Sequence, residues 1–241
     1  MSRDGVDCGK HGYGEATYVC PHLPRGKGRG WFTQPSDEDA AGPWPDAWCA
    51  DCDRRLQSDD EAAEVELDFV VVCDGCYEAH REANWPKDVT GHLASLIARA
   101  RERHTERQQQ LADKYQIESY HEYSWQQDPR RLVLSAPRKP RLVAAFQMVG
   151  SYSQKTNTWL WPWAQTHYTE SELEAARCVR AYGDEHKLLR LASAHWPATE
   201  QDAWDMVAVA ASLYPSEGGF RVPHATGFSY LLITSVQRRK A

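Results

Sequence analysis

Two Cys-x-x-Cys pairs, Cys49-Ala-Asp-Cys52 and Cys73-Asp-Gly-Cys76, constrain the front of this chain more than any other feature. Such a turn sets two thiolates on one side, at the spacing that half of a tetrahedral zinc site requires, and a second turn completes the site. The spacing predicts a closed four-thiolate centre. Closed centres are structural, because no coordination position is left for water or substrate. Two further pairs precede these. Cys8-Gly-Lys-His11 has the turn spacing of a ligand pair. Cys20-Pro-His22 follows the β-prone run Thr17-Tyr18-Val19, and on an extended backbone residues i and i+2 face the same way. Cys8, His11, Cys20 and His22 are therefore candidates for a second zinc site; alternatively the four pairs interleave, as in cross-braced two-zinc folds. His80, four residues after Cys76, is a spare ligand candidate. The seventh cysteine, Cys178, stands alone and reads as a small buried hydrophobe on a helix.

The compartment follows from what the chain lacks. It has no apolar run long enough to span a membrane and no apolar core near its N-terminus of the kind a secretory signal carries. A cytoplasmic location is expected, where thiols stay reduced and clustered cysteines mean metal more often than disulfide. Charge is uneven. Residues 1–85 hold 8 Lys and Arg against 18 Asp and Glu, a net of −10, whereas residues 86–241 carry a net of +4. Phosphate backbones repel a module this acidic, so nucleic acid is disfavoured as its partner and a basic protein is favoured.

Along the chain, Arg25-Gly-Lys-Gly-Arg-Gly30 lacks the spacing of a phosphate loop and reads as a solvated turn. The stretch 66–73 reads as a strand delivering the second Cys pair, and 77–83 as a short helix, a treble-clef or zinc-ribbon pattern over residues 1–87. A long helix follows across 88–118. Its apolar stripe of Leu93, Leu96, Ile97, Ala100, Leu111 and Tyr115 is interrupted by a polar middle, which predicts a solvated connecting helix. Arg99, Arg101, Arg103 and Arg107 on it invite a nucleic-acid reading, against which a solvated basic face is the plainer account. From residue 119 the texture is β. Strands are expected at 120–126, 131–135, 141–151 and 156–163, then a helix capped by Thr169 and Glu172, a second begun by Thr199 and Asp202, and strands at 220–223 and 228–237. The class is α+β: a zinc module, a connecting helix, and over 119–241 an antiparallel sheet with helices on one face.

Thr158-Trp159-Leu-Trp161-Pro-Trp163 places three indoles at i, i+2 and i+4, one face of a strand. They read as core, or as an aromatic groove for a ligand or partner, with His167 or Glu170 supplying polar chemistry. Gly-x-Ser-x-Gly, His-Glu-x-x-His and dinucleotide-binding glycine patterns are absent from the sequence, so no catalytic residues are assigned.

Three stretches, Phe146-Gln-Met-Val-Gly-Ser151, Thr158-Trp-Leu-Trp-Pro-Trp163 and Val179-Arg-Ala-Tyr-Gly183-Asp-Glu-His186, resemble the uncharacterised bacterial domain-of-unknown-function family 6882, over roughly residues 90–237. Where that family's pattern usually has Trp-Ala-Trp and then Asn, this chain has Trp161-Pro-Trp163 and then Ala164-Gln165. The front half resembles small uncharacterised bacterial proteins with the same Cys/His layout. Neither resemblance carries an activity; together they imply a cytosolic bacterial protein that joins a zinc module to an α+β domain. The leading expectation is a non-enzymatic interaction or immunity-type protein with one or two structural zinc ions and a protein partner. The rivals are an enzyme or small-ligand sensor built on the tryptophan groove, and a nucleic-acid binder.

Overall fold

Short hydrogen-bonded strands and helix starts, rather than a large apolar core, shape the front of the molecule. The computed structural model describes residues 5–33, 44–56, 66–86, 89–126, 130–164 and 168–239. The chain divides into two compact units: residues 1–87, 164–166 and 183–197 form the first, and 88–163, 167–182 and 198–241 the second.

The first unit runs β1 (Gly5–Cys8), β2 (Gly12–Val19), β3 (Phe32–Thr33), β4 (Ala47–Trp48), α1 (Ala50–Leu56), β5 (Val70–Cys73) and α2 (Asp74–Asn84). β1 and β2 form an antiparallel hairpin with Cys8 opposite Gly12. The second half of β2 pairs antiparallel with β5, Ala16 opposite Cys73 and Tyr18 opposite Val71. Val19 meets Ala47 of β4 in parallel, and β4 pairs with β3. The central apolar cluster is Val19, Cys20, Leu23, Trp31, Ala47, Cys49, Cys52 and Tyr77. Three of those eight are metal-ligand candidates, so the core and the site are the same atoms. The glycine-rich turn is not a free loop. The Gly28 N–H donates to the Ala83 carbonyl, the Arg29 N–H to Asn84 Oδ1, and the Arg29 carbonyl accepts from the Ala50 N–H. Gly30 sits at φ +78°, and a side chain there would also press on Ala50 and Phe32.

The chain continues with α3 (Gly91–Tyr115), β6 (Glu122–Gln126), β7 (Arg131–Ser135), β8 (Arg141–Ser153), β9 (Thr158–Leu160) and α4 (Glu174–Glu185). It closes with α5 (Leu189–Ala192), β10 (His195–Pro197), α6 (Glu200–Leu213), β11 (Gly218–His224) and β12 (Gly227–Arg239). In the second unit β6, β7, β8 and β9 pair antiparallel in succession. β8 and β12, 13 residues each, pair along their whole length with two register shifts, and β11 covers the far side of β12. Their inward residues Leu142, Ala144, Phe146, Met148, Leu231 and Ile233 make the core with Leu111 and Tyr115 of α3. Thr199 caps α6: its hydroxyl accepts from the Asp202 N–H while the Asp202 carboxylate accepts from the Thr199 N–H.

Two expectations are corrected here. Thr169 donates through its N–H and hydroxyl to Glu172, yet α4 begins only at Glu174, after a single 3-10 turn at Glu170–Glu172. And α3 is no solvated connector, for it belongs to the second unit and packs on α6. Its polar middle is a polar interface. Arg101 makes two bonds of 2.5 and 2.6 Å to the Asp205 carboxylate, Arg107 donates to the Ala211 carbonyl at 2.6 Å, and Gln108 pairs with both the N–H and carbonyl of Gly219. Gln108 thereby satisfies the outer edge of β11 as a neighbouring strand would.

Asp205 is 3% exposed among the apolar residues of α6, so its charge depends on Arg101, with Gln201 also donating to it. The Arg101 side chain is half exposed, and water replaces part of what its removal takes away. Arg101→Ala is expected to cost about 1–3 kcal/mol of unfolding free energy. Adding Asp205→Ala should recover part of it, because the stranded carboxylate is the source of the cost. Denaturant titration of the three chains checks this, and an unchanged midpoint for Arg101→Ala would show that the pair contributes nothing.

Candidate metal centres

The eight Cys and His candidates do not group as the two Cys-x-x-Cys pairs suggest. Cys49 and Cys52 are not neighbours of Cys73 and Cys76. The structure gathers Cys20, His22, Cys49 and Cys52 into one cluster and Cys8, His11, Cys73 and Cys76 into another, with the ligand atoms of each within 4.8 Å of one another. The pairs are nested, second with third and first with fourth, and the four-cysteine centre expected from spacing is corrected to two sets of three thiols and one imidazole. Strand pairing is the reason. β2 carries Cys20 just beyond its end to β4, the strand before Cys49, while β5 runs back along β2 and delivers Cys73 to the hairpin that carries Cys8. Sequence spacing is silent on which strand β2 chooses.

Both clusters are built to one plan: a ligand pair from a turn, and a Cys-x-x-Cys that enters the first turn of a helix, α1 or α2. The unpaired N–H groups and dipole of a helix start favour thiolate over thiol. At α2 the Cys73 sulfur is itself the cap and accepts from the Cys76 N–H at 3.3 Å. In the other cluster the Cys20 sulfur accepts from the Cys49 N–H at 3.4 Å.

The spacing matches a tetrahedral ion. Zinc bond lengths place two sulfurs about 3.8 Å apart, and a sulfur and a nitrogen about 3.6 Å apart. In the hairpin cluster Cys8 Sγ lies 3.6 Å from Cys76 Sγ, and His11 Nδ1 lies 3.7, 3.4 and 3.5 Å from the sulfurs of Cys8, Cys73 and Cys76. In the core cluster His22 Nδ1 is 3.2 Å from Cys52 Sγ. The sulfurs cannot all ionise without a cation. Backbone N–H groups of Lys10 and His11 hold the Cys8 thiol down at about 6, while burial and the adjacent Cys8 and Cys73 sulfurs push Cys76 up to about 12. In the core cluster the Cys20 thiol donates to Cys49 and holds it near 5, which raises Cys20 itself far above its ordinary range. Burial, then the charge on Cys49, pushes Cys52 up to about 11. One thiolate per cluster is stabilised by its surroundings, and a divalent cation is what would draw the protons from the rest.

The clusters differ in exposure. Cys20 and Cys49 are 0% exposed and Cys52 2%. Around the other, Cys8 and Cys76 are half-buried and His11 is exposed. Gly75 lies directly beneath His11, and a Cβ there would come within 2.8 Å of the imidazole.

The remaining sequence candidates fall elsewhere. His80 joins neither cluster. Cys178, expected to be buried, is exposed. His167 lies outside the described residues. The three indoles do not share a strand face, because β9 ends at Leu160 and Pro162–Ala164 turns as a 3-10 helix, as befits a residue that cannot donate to a ladder. Trp159 and Trp161 are 0% exposed. Trp161 meets Trp159 edge-on at 5.2 Å and stacks on Trp163 at 4.7 Å, and Trp159 packs on Tyr230. An open groove along these indoles is therefore corrected to a packed aromatic core, with Arg180 over the ring of Trp163 at 5.7 Å. Gly150 admits this packing, since a Cβ there would sit 2.3 Å from the Trp159 ring. Sequence reasoning missed two features of this unit. One is the Arg101–Asp205 pair, for which the signal was an acid set between Trp204 and Met206 in the apolar part of α6. The other is a cavity of about 480 Å³ beside that pair, between α3 and α6, lined by His104, Gln108, Trp204 and Asp205 among others.

The family model for a family of unknown function (DUF6882) matches residues 94–236, more than half of the chain, and the protein belongs to that family. The match covers the second unit's sheet and helices and leaves both Cys/His clusters outside it. No curated protein matches the chain, and no solved structure matches it. No helix among the described residues is long and apolar enough to cross a membrane.

Gly75→Ala is expected to displace His11 and to weaken or abolish metal binding at the hairpin cluster alone, leaving the core cluster loaded. Native mass spectrometry of the metal-loaded variant checks this; retention of the same metal count at limiting metal would show that His11 is not a ligand.

Proposed function

We propose that the protein is a non-enzymatic interaction protein whose front module is held in shape by two structural zinc ions. The observation that supports this best is the make-up of both clusters: each gathers four ligand atoms within 4.8 Å of one another, and no fifth Cys, His or carboxylate joins either group among the described residues. Three soft sulfurs and one imidazole favour zinc over magnesium or calcium, which take oxygen ligands. Each half-site follows a treble-clef-like arrangement, a ligand turn facing a Cys-x-x-Cys at a helix start. Trp159 and Trp161, both 0% exposed, weigh against an enzyme built on a tryptophan groove. The net charge of −10 over residues 1–85 makes a basic protein surface the partner that this module fits, and a bacterial cytosolic immunity-type protein that neutralises such a partner is the specific form of the reading.

The test is made on the full chain. Stripping metal with a strong chelator is expected to unfold the front module while the circular dichroism of the second unit's sheet persists, and to abolish salt-sensitive binding of a basic partner. Metal-dependent turnover of small ester, amide or phosphate substrates by the loaded chain would overturn the proposal, since a structural ion has no open position with which to activate water.

A further inference from the structure

The two clusters share a ligand set but not an environment, and this difference bears on how the metal is controlled. Cys20, Cys49 and Cys52 sit inside the module's apolar core among Val19, Leu23, Trp31 and Tyr77. These three residues are 0–2% exposed, while the fourth ligand, His22, is half-buried. The other cluster buries only Cys73. Its first ligand, Cys8, ends β1, a four-residue strand with no buried residue. His11 is exposed, Cys76 half-buried, and the Cys8 and Cys76 sulfurs face each other at 3.6 Å. Thiolate reactivity follows exposure and ionisation, and metal coordination keeps the sulfurs ionised.

Resting on the zinc reading above, we propose that the Cys8–His11–Cys73–Cys76 centre is a peroxide-sensitive metal switch, which releases its ion as Cys8 and Cys76 form a disulfide while the core centre stays loaded. The chemistry balances with a peroxide as oxidant. One thiolate sulfur attacks the O–O bond; an S–O bond forms, the O–O bond breaks and hydroxide leaves, giving a sulfenic acid. The second thiolate attacks that sulfur; the S–S bond forms, the S–O bond breaks and a second hydroxide leaves. The two sulfurs together lose two electrons and the peroxide gains them. The zinc ion does not change oxidation state. It is left with only Cys73 and His11 and dissociates as a divalent cation. Closing the sulfurs from 3.6 Å to a disulfide bond is taken up by β1, a strand with no buried residue, so the fold offers little resistance. The disulfide replaces the metal as the tie between β1 and the start of α2, frees the turn that carries His11, and leaves the core centre and its apolar cluster intact. The metal thus becomes the link between redox state and the shape of this surface.

The experiment uses the full chain with Cys178→Ser, which removes the exposed thiol outside the clusters. The zinc-loaded protein is treated with hydrogen peroxide, free zinc is followed with a chromophoric chelator, and disulfides are mapped by mass spectrometry without reduction. The expected result is release of one of two zinc ions, a Cys8–Cys76 disulfide, unmodified Cys20, Cys49 and Cys52, and recovery of the ion on adding dithiothreitol and zinc. Release of both ions together, release of neither, or first oxidation in the core cluster overturns the switch and leaves the two-zinc reading standing. A purified chain that binds fewer than two zinc ions before any oxidant is added overturns that reading and the switch with it.

Discussion

Three sulfurs and an imidazole nitrogen held within 4.8 Å of one another can carry their full charge only with a cation among them, and the front module contains two such arrangements. Everything else in that unit is slight. Its strands are two to eight residues long, and its main apolar cluster counts its own ligands among the packing residues. A core of this size is small against the conformational entropy of ordering such a module, roughly 1–2 kcal/mol for each backbone residue fixed. Metal binding supplies free energy of about 10–16 kcal/mol in small zinc modules, enough to make folding and loading one event. The helix starts, the sulfur-accepted N–H groups and the hairpin turn are ways of aiming ligands at two points.

The second unit solves its stability differently. Two 13-residue strands form a spine, and aromatic packing around Trp159, Trp161, Trp204 and Tyr230 fills the space beside it. Three polar groups inside this unit are tied to specific partners: Asp205 to Arg101, Gly219 to Gln108, the Ser171 carbonyl to Gln147. These bonds are what let a helix with a polar middle lie against an apolar one.

Much of the second unit is legible from sequence, because alternation and turn residues are local signals. The strand expected at 131–135 is β7 residue for residue, the one at 141–151 extends by two to become β8, and Thr199 with Asp202 caps α6 as its spacing suggests. Pairings between distant segments are not local. Cys-x-x-Cys spacing says that Cys49 and Cys73 each begin a half-site, but the choice of the other half is made by which strands flank β2. The tryptophan run failed for a related reason. Pro162 breaks the ladder, so alternation over 158–163 no longer means one face, and burial of the indoles depends on Gly150 of the neighbouring β8 and on Tyr230 from β12, far along the chain. The α3 stripe misled because Arg101, Arg107 and Gln108 look solvated until Asp205, Ala211 and Gly219 are placed opposite them.

The nested assignment of ligands is the claim on which the account of the front module turns, and zinc content per chain in three variants tests it most directly. Cys49→Ser and Cys76→Ser belong to different centres here. Each is expected to lose one zinc ion of two, and the double variant to lose both. If Cys49 and Cys76 ligate the same ion, as a four-cysteine centre requires, the double variant will lose no more metal than either single one, and the nested arrangement will be contradicted.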